Sequence, residues 1–179
     1  MELLKRHRTL LCILLLFILL IPTYWRMVRP GIFSMHDFHP FRLYEYDKCI
    51  ADLQFPCRWA PDVTYEYGQP VFNFYAQGPY IFGEVFRFLG FGVIDSTKAL
   101  FIASLLLSAV TMFFLSKQLW KSNFAALVSS LIYVYAPYRE VDIYVRGALS
   151  EALAFIFPPL IIYFFNEYVS KKRFISLLF

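Results

Sequence analysis

The residues best equipped for chemistry fall in two short polar stretches. The first is His36-Asp37-Phe38-His39-Pro40, a carboxylate between two imidazoles. Residues of these types can take a proton, cap the helix that Pro40 is suited to open, or join at a divalent metal through His36, Asp37 and His39. The second runs from Tyr138 to Gly147 and contains Arg139, Glu140, Asp142 and Arg146, with Glu151 close behind. Arg139 and Arg146 are planar cations able to grip a phosphate bidentately, and Asp142 and Glu151 can partner them. The same four side chains could instead pair among themselves, Arg146 with Glu151 or Arg139 with Asp142, and hold a turn. Glu151 falls in the first turn of an apolar helix. The helix dipole favours a carboxylate there, and the nearby hydrocarbon demands that it be paired.

The elements around these stretches are built for a membrane. The 179 residues are 59% hydrophobic, above the roughly 45–50% of an ordinary soluble domain. Lys5, Arg6, His7 and Arg8 precede an apolar run that continues through Pro22, Tyr24 and Trp25. No small-residue cleavage site follows, so residues 9–28 read as an uncleaved signal anchor with its aromatic residues at the far interface. Further spans are expected at 99–115, 124–138 and 148–168. The stretch 174–179 reads as the start of another, which makes the chain read as the N-terminal fragment of a longer protein. Pro158-Pro159 should kink the span that contains it.

Charge decides how the spans are threaded. Tyr80 to Phe91 is apolar but short and contains Glu84 and Arg87, so it is expected to lie along the membrane surface. The basic clusters at 5–8, 117–121 and 171–173 then share one side, the cytoplasmic one by the positive-inside tendency. That side holds eight Lys and Arg against two acids, and the outer side nine against eleven. The N-terminus is cytoplasmic in this reading, and the loop 29–98 and the turn 138–147 meet the same outer face. The net charge of +4 forms no contiguous basic face, which argues against a nucleic-acid partner.

Within the outer loop, Leu43, Tyr46, Ile50 and Leu53 recur at helical spacing, which predicts a short amphipathic helix that Pro56 ends. Turns are expected at Arg58-Trp59-Ala60-Pro61-Asp62 and Tyr67-Gly68-Gln69-Pro70. Three cysteines are too few for a disulfide scaffold. Cys49 and Cys57 could pair in an oxidising compartment or remain as two thiols. There is no Gly-rich phosphate loop, no CxxC and no N-x-S/T sequon. The fold class expected is an all-α integral membrane protein, a multi-span helical bundle with a large first extracytoplasmic loop that carries amphipathic, juxtamembrane helices.

Two blocks of residues carry a resemblance. His36-Asp37-Phe38-His39, Arg58-Trp59-x-Pro61-Asp62 and Tyr67-Gly68-x-Pro70-x-Phe72-x-Phe74-Tyr75 form one. Pro137-Tyr138-Arg139 with Asp142-x-Tyr144-x-Arg146-Gly147-Ala148-x-x-Glu151 forms the other. In order and spacing they are similar to a family of bacterial and archaeal membrane proteins labelled 6-pyruvoyl-tetrahydropterin synthase-related, over about residues 37–151. The zinc-binding histidine trio of a soluble pterin synthase has no counterpart, because His7 lies on the side opposite His36 and His39. The arrangement of span, outer loop and surface helices resembles the C-type (GT-C fold) glycosyltransferase superfamily, although those enzymes have more spans.

That resemblance implies transfer of a sugar from a polyprenyl-phosphate donor to an acceptor on the outer face of the inner, or plasma, membrane, as part of cell-envelope assembly. The leaving phosphate then needs positive charge from Arg139, Arg146 or a divalent metal. The acceptor hydroxyl needs a carboxylate base, and Asp37 stands where the superfamily places its key acid. His39, Asp142, Glu151 and Trp59 complete the expected substrate-binding set. Trp59, Tyr67, Phe72, Phe74 and Tyr75 could stack on a sugar, cradle a lipid chain, or serve as interfacial anchors. The alternative is a non-catalytic membrane protein that binds a lipid carrier or a partner protein. A transporter ranks last, since the spans are nearly free of charge.

Overall fold

The computed structural model describes residues 2–31 and 38–171. Ten α-helices and one π-helical turn follow one another: α1 Glu2–Leu19, α2 Ile21–Val28, α3 His39–Ala51, α4 Val71–Phe74, α5 Gly78–Phe88, α6 Val93–Trp120, α7 Asn123–Val134, α8 Pro137–Val141, the π turn Asp142–Arg146, α9 Leu149–Ala154 and α10 Phe157–Lys171. Among the described residues there is no strand, and Ala60 and Gln69 form an isolated antiparallel bridge.

Two helical segments are long and apolar enough to cross a membrane, Val93–Trp120 and Leu149–Ser170, or three if the bent pair His7–Leu19 and Ile21–Val28 is one span. At 28 residues, α6 is about 42 Å long and exceeds a bilayer core of about 30 Å. Leu10, Leu11, Leu14 and Ile18 on α1 and Phe157, Ile161, Phe165 and Val169 on α10 are exposed. Apolar surface on this scale suits lipid rather than water. The crossing expected at 124–138 is shorter than the sequence suggested. α7 has 12 residues, about 18 Å of helix. Pro137 explains the stop: a residue before proline avoids the helical region, and Ala136 is extended at φ −55°, ψ 128°. The stretch 174–179 lies outside the described residues.

α1 and α6 run antiparallel. At one end Lys98 Nζ donates to the Arg29 carbonyl at 3.0 Å. At the other the Lys117 ammonium donates to the Thr9 hydroxyl. The basic clusters at 5–8 and 117–121 therefore share an end of the bundle.

Two spans are broken by proline, and a neighbouring tyrosine answers each break. α1 and α2 meet at 56°, with Pro22 in the first turn of α2. The Thr23 N–H turns to Leu20, and the Leu19 carbonyl accepts the Tyr135 hydroxyl at 2.7 Å instead. Between α9 and α10 the helix is interrupted at residues 155–156. The Phe155 carbonyl would take its bond from residue 159, a proline without an N–H, and it accepts the Tyr133 hydroxyl at 2.8 Å. The helix is interrupted just before Pro158-Pro159, where a kink was expected, and the freed carbonyl is satisfied from α7.

The segment from α3 to α5 builds a second, smaller core. Leu43, Tyr46, Cys49, Cys57, Ala60, Phe72 and Tyr80 are buried together. Cys49 and Cys57, left open as bridge or thiols, form a disulfide. The helix stops at Ala51, ahead of Pro56, because Leu53 turns left-handed at φ 59° and the Gln54 N–H bonds back to the Cys49 carbonyl at 2.9 Å. α5 has 11 residues, too few to span, and it packs on α3 and α6. Gly83 permits that approach: a Cβ there would fall 2.6 Å from a Leu43 methyl and 3.3 Å from one of Leu100.

Candidate functional site

His39, from the first polar stretch, meets the second at the end of the bundle opposite Lys117. His39, the first residue of α3, is 1% exposed. Its Nδ1 lies 3.0 Å from the Tyr80 hydroxyl and its Nε2 2.6 Å from the Gly147 carbonyl. The Leu149 N–H also points at Nε2, at 3.3 Å. A carbonyl only accepts, so the short contact to Gly147 requires a proton on Nε2. The imidazole thereby ties α3 to α5 and to the turn before α9.

The π turn Asp142–Arg146 and the start of α9 carry the charged group. Arg146 Nη1 donates to Asp142 Oδ1 at 3.0 Å and to the Tyr138 hydroxyl at 3.1 Å, and lies 2.9 Å from Glu151 Oε2. Tyr138 in turn donates to Glu151 Oε1. Arg146 keeps half of its side chain in the open, whereas Asp142 is fully buried. Burial, seconded by the Glu151 charge, lifts the Asp142 carboxyl to about 6, with Arg146 opposing the shift. Of the pairings left open by the sequence, Arg146–Glu151 forms, and Asp142 pairs with Arg146 rather than with Arg139.

Arg139 is 1% exposed and is the largest fully buried side chain among the described residues. Its guanidinium lies 4.5 Å from the Phe155 ring centroid and 5.9 Å from that of Tyr133. None of its three nitrogens has a hydrogen-bond partner among the described residues. Burial lowers its pKa, and Tyr133 and Asp142 work the other way.

A cavity of about 400 Å³ opens beside this group, lined by His39, Tyr75, Arg146, Ser150 and Glu151 among others. It therefore collects His39, Arg146 and Glu151 from the expected set, and it leaves Arg139 and Asp142 behind its wall. Trp59 lies elsewhere: its indole rests on Gly68, where a Cβ would come within 2.3 Å of Nε1. His36 and Asp37 lie outside the described residues. Among the described residues no three His, Cys, Asp or Glu side chains converge as a metal site. His39 would have to release a protein partner to bind an ion.

Two buried carboxyls were not singled out from the sequence. Glu84 on α5 is 5% exposed. Burial and the neighbouring Asp47 raise it to about 7, while Asp47 pairs with Arg87 at 2.7 Å. Its place inside an apolar run was a visible signal. Glu45 on α3 is 1% exposed and lines a larger cavity of about 700 Å³ with Phe38, Phe41, Arg42, Phe72 and Phe74. Only its position three residues after Arg42, on the same helical face, hinted at this. Compared with known protein families, curated proteins and solved structures, the chain matches none.

Proposed function

We propose that this is a multi-span membrane glycosyltransferase that moves a sugar from a polyprenyl-phosphate donor to an acceptor at the membrane face opposite its N-terminus. The observation that carries this reading is the 400 Å³ cavity with Arg146 at its rim and His39 in its wall. A half-exposed guanidinium in a polar cavity at a membrane end suits a departing phosphate. Asp37, two residues before His39 in the chain, is the proposed general base, and Glu151 is the carboxylate that aligns Arg146. Phosphate and pyrophosphate leave without help from ATP, in keeping with a sequence that has no phosphate loop.

The orientation proposed is N-terminus in the cytoplasm of a bacterial inner membrane. The shared end of the 5–8 and 117–121 clusters favours it through the positive-inside tendency. The Cys49–Cys57 bridge favours an oxidising compartment for the opposite end.

One feature favours a second reading. Arg146 is held by Asp142, Glu151 and Tyr138, as a structural latch would be, which suits a lipid-carrier-binding protein without turnover. The deciding experiment purifies the full-length protein and Asp37→Asn in one detergent and supplies a panel of polyprenyl-phosphate sugars. Mass spectrometry follows loss of the lipid-linked sugar. Turnover by wild type alone supports the enzyme with Asp37 as base. Equal turnover moves the base to Glu151. Binding without turnover by either favours the second reading.

A further inference from the structure

The 700 Å³ cavity beneath α3 has an unusual wall. It is lined by the rings of Phe38, Phe41, Phe72, Phe74 and Tyr75, and one acid and one base, Glu45 and Arg42, stand among them. One carboxylate oxygen of Glu45, Oε2, accepts the Asp62 N–H at 3.0 Å. The other, Oε1, is buried and has no partner among the described residues. A buried carboxylate with an open oxygen is costly unless something donates to it. Neither nearby cation donates to Oε1 among the described residues. Lys48, one turn along α3, is paired with Asp62, and Arg42 lies over the Tyr75 ring at 3.7 Å from its centroid.

We propose that this cavity is a binding site for an amphiphile that carries a primary ammonium group on an apolar body. The ammonium donates a charge-assisted hydrogen bond to Glu45 Oε1. The phenyl faces around it attract the same charge through their quadrupoles. The apolar body covers Phe38, Phe41 and Phe72. A hydroxyl could satisfy Oε1 but would draw nothing from the rings, and an anion that carries no ammonium would be repelled by Glu45. The volume falls within the usual range of small-molecule sites. Two sources present this chemistry, the ethanolamine headgroup of a phospholipid and a free amine. The proposal goes beyond sugar transfer and stands whether or not transfer occurs.

The test uses the protein in lipid nanodiscs and three matched probes: 3-phenylpropylamine, 3-phenylpropanol and 3-phenylpropionate. Binding is read by calorimetry, with empty nanodiscs subtracted. In phosphatidylcholine discs the amine should bind about tenfold more tightly than the alcohol, and the propionate should not bind. Glu45→Gln keeps an oxygen for the Asp62 N–H but turns the other position into a donor. It should remove the preference for the amine. Phe74→Lys, at a largely exposed position of the wall, tethers an ammonium in the cavity and should block the amine with Glu45 intact, even if the Gln variant fails to fold. Equal affinity for amine and alcohol, an undiminished preference in both variants, or no saturable amine binding would each overturn the proposal. Weaker amine binding in phosphatidylethanolamine discs would identify the lipid headgroup as occupant, and unchanged binding would identify a soluble amine. Amine binding without sugar turnover would sink the transferase reading and leave this one standing.

Discussion

The imidazole of His39 and the carbonyl of Gly147, 108 residues apart in the chain, meet at 2.6 Å. This bond joins the α3–α5 segment to the turn that carries Arg139, Asp142 and Arg146. His39→Ala would remove the imidazole from the Gly147 carbonyl, which keeps only the Leu149 N–H, and from the Tyr80 hydroxyl. A buried hydrogen bond lost in this way costs about 0.5–1.5 kcal/mol. The variant should melt several degrees lower in detergent. Limited proteolysis should cut first between α3 and α5, since that segment has lost its tether. Wild-type proteolysis kinetics would show the bond to be dispensable.

The two tyrosines of α7 make a sharper prediction. Tyr133→Phe deletes the donor that the Phe155 carbonyl has among the described residues, at a cost of about 1 kcal/mol. Pro159→Ala restores the backbone N–H that proline lacks. The double variant Tyr133→Phe with Pro159→Ala should therefore recover stability that Tyr133→Phe alone has lost. Additive effects in that double-mutant cycle would show that the two groups do not serve the same carbonyl. Tyr135→Phe should behave likewise toward Leu19, with a smaller cost because Tyr135 is more exposed.

These relationships show where the sequence stops being legible. That His39 and the 138–147 turn would lie toward the same end was expected from the basic clusters, which favour one threading over the other, but their contact was not. The break before Pro137 was also readable from the pre-proline rule, yet the apolar run of 124–138 concealed it. Glu45 and Tyr133 were not readable. Whether one carboxylate is buried, or one hydroxyl reaches a carbonyl two helices away, depends on packing that no local pattern encodes. The Cys49–Cys57 pairing stayed open because an eight-residue separation permits a bridge without requiring one.

Glu84 should make stability fall as pH rises. Its folded-state pKa, about 7, is raised above the ordinary 4.5 by burial and by Asp47, with Arg87 opposing. The folded state thus holds the proton more tightly than the unfolded one. The stabilisation is complete below about 4.5 and is lost as pH rises through about 7. The loss amounts to roughly 2–4 kcal/mol. Asp142, lifted to about 6, acts in the same direction at lower pH. Melting temperatures in detergent should decline from pH 5 to pH 8, and Glu84→Gln should flatten the upper part of that decline. A profile unchanged by the substitution would place the titrating group elsewhere.

The disulfide offers a test of orientation. Cys12 lies on α1 and is free, whereas Cys49 and Cys57 are bridged in the segment between α2 and α5. A Cys12→Ala protein should resist maleimide in intact cells until a reductant is added. A membrane-impermeant maleimide should then label it without lysis. Labelling only after lysis would put the segment in the cytoplasm and reverse the proposed threading.

Arg146 separates the two functional readings. Its guanidinium spans Asp142, Glu151 and Tyr138, while half of its side chain faces the cavity side in the open. If Arg146 is only a latch, its loss matters through Asp142, which is buried and would lose the ion-pair partner it has among the described residues. Arg146→Ala should then lower the melting temperature, and adding Asp142→Asn should restore it, with lipid-phosphate binding unchanged throughout. If Arg146 also receives the phosphate, Arg146→Lys distinguishes the roles. Lysine keeps the charge and can still pair with one acid, but it loses the planar fork that grips two oxygens. The fold should survive while the apparent KM for the polyprenyl-phosphate donor rises about tenfold. A lysine variant with native stability and native KM would leave Arg146 as a latch, and the leaving phosphate would need another cation.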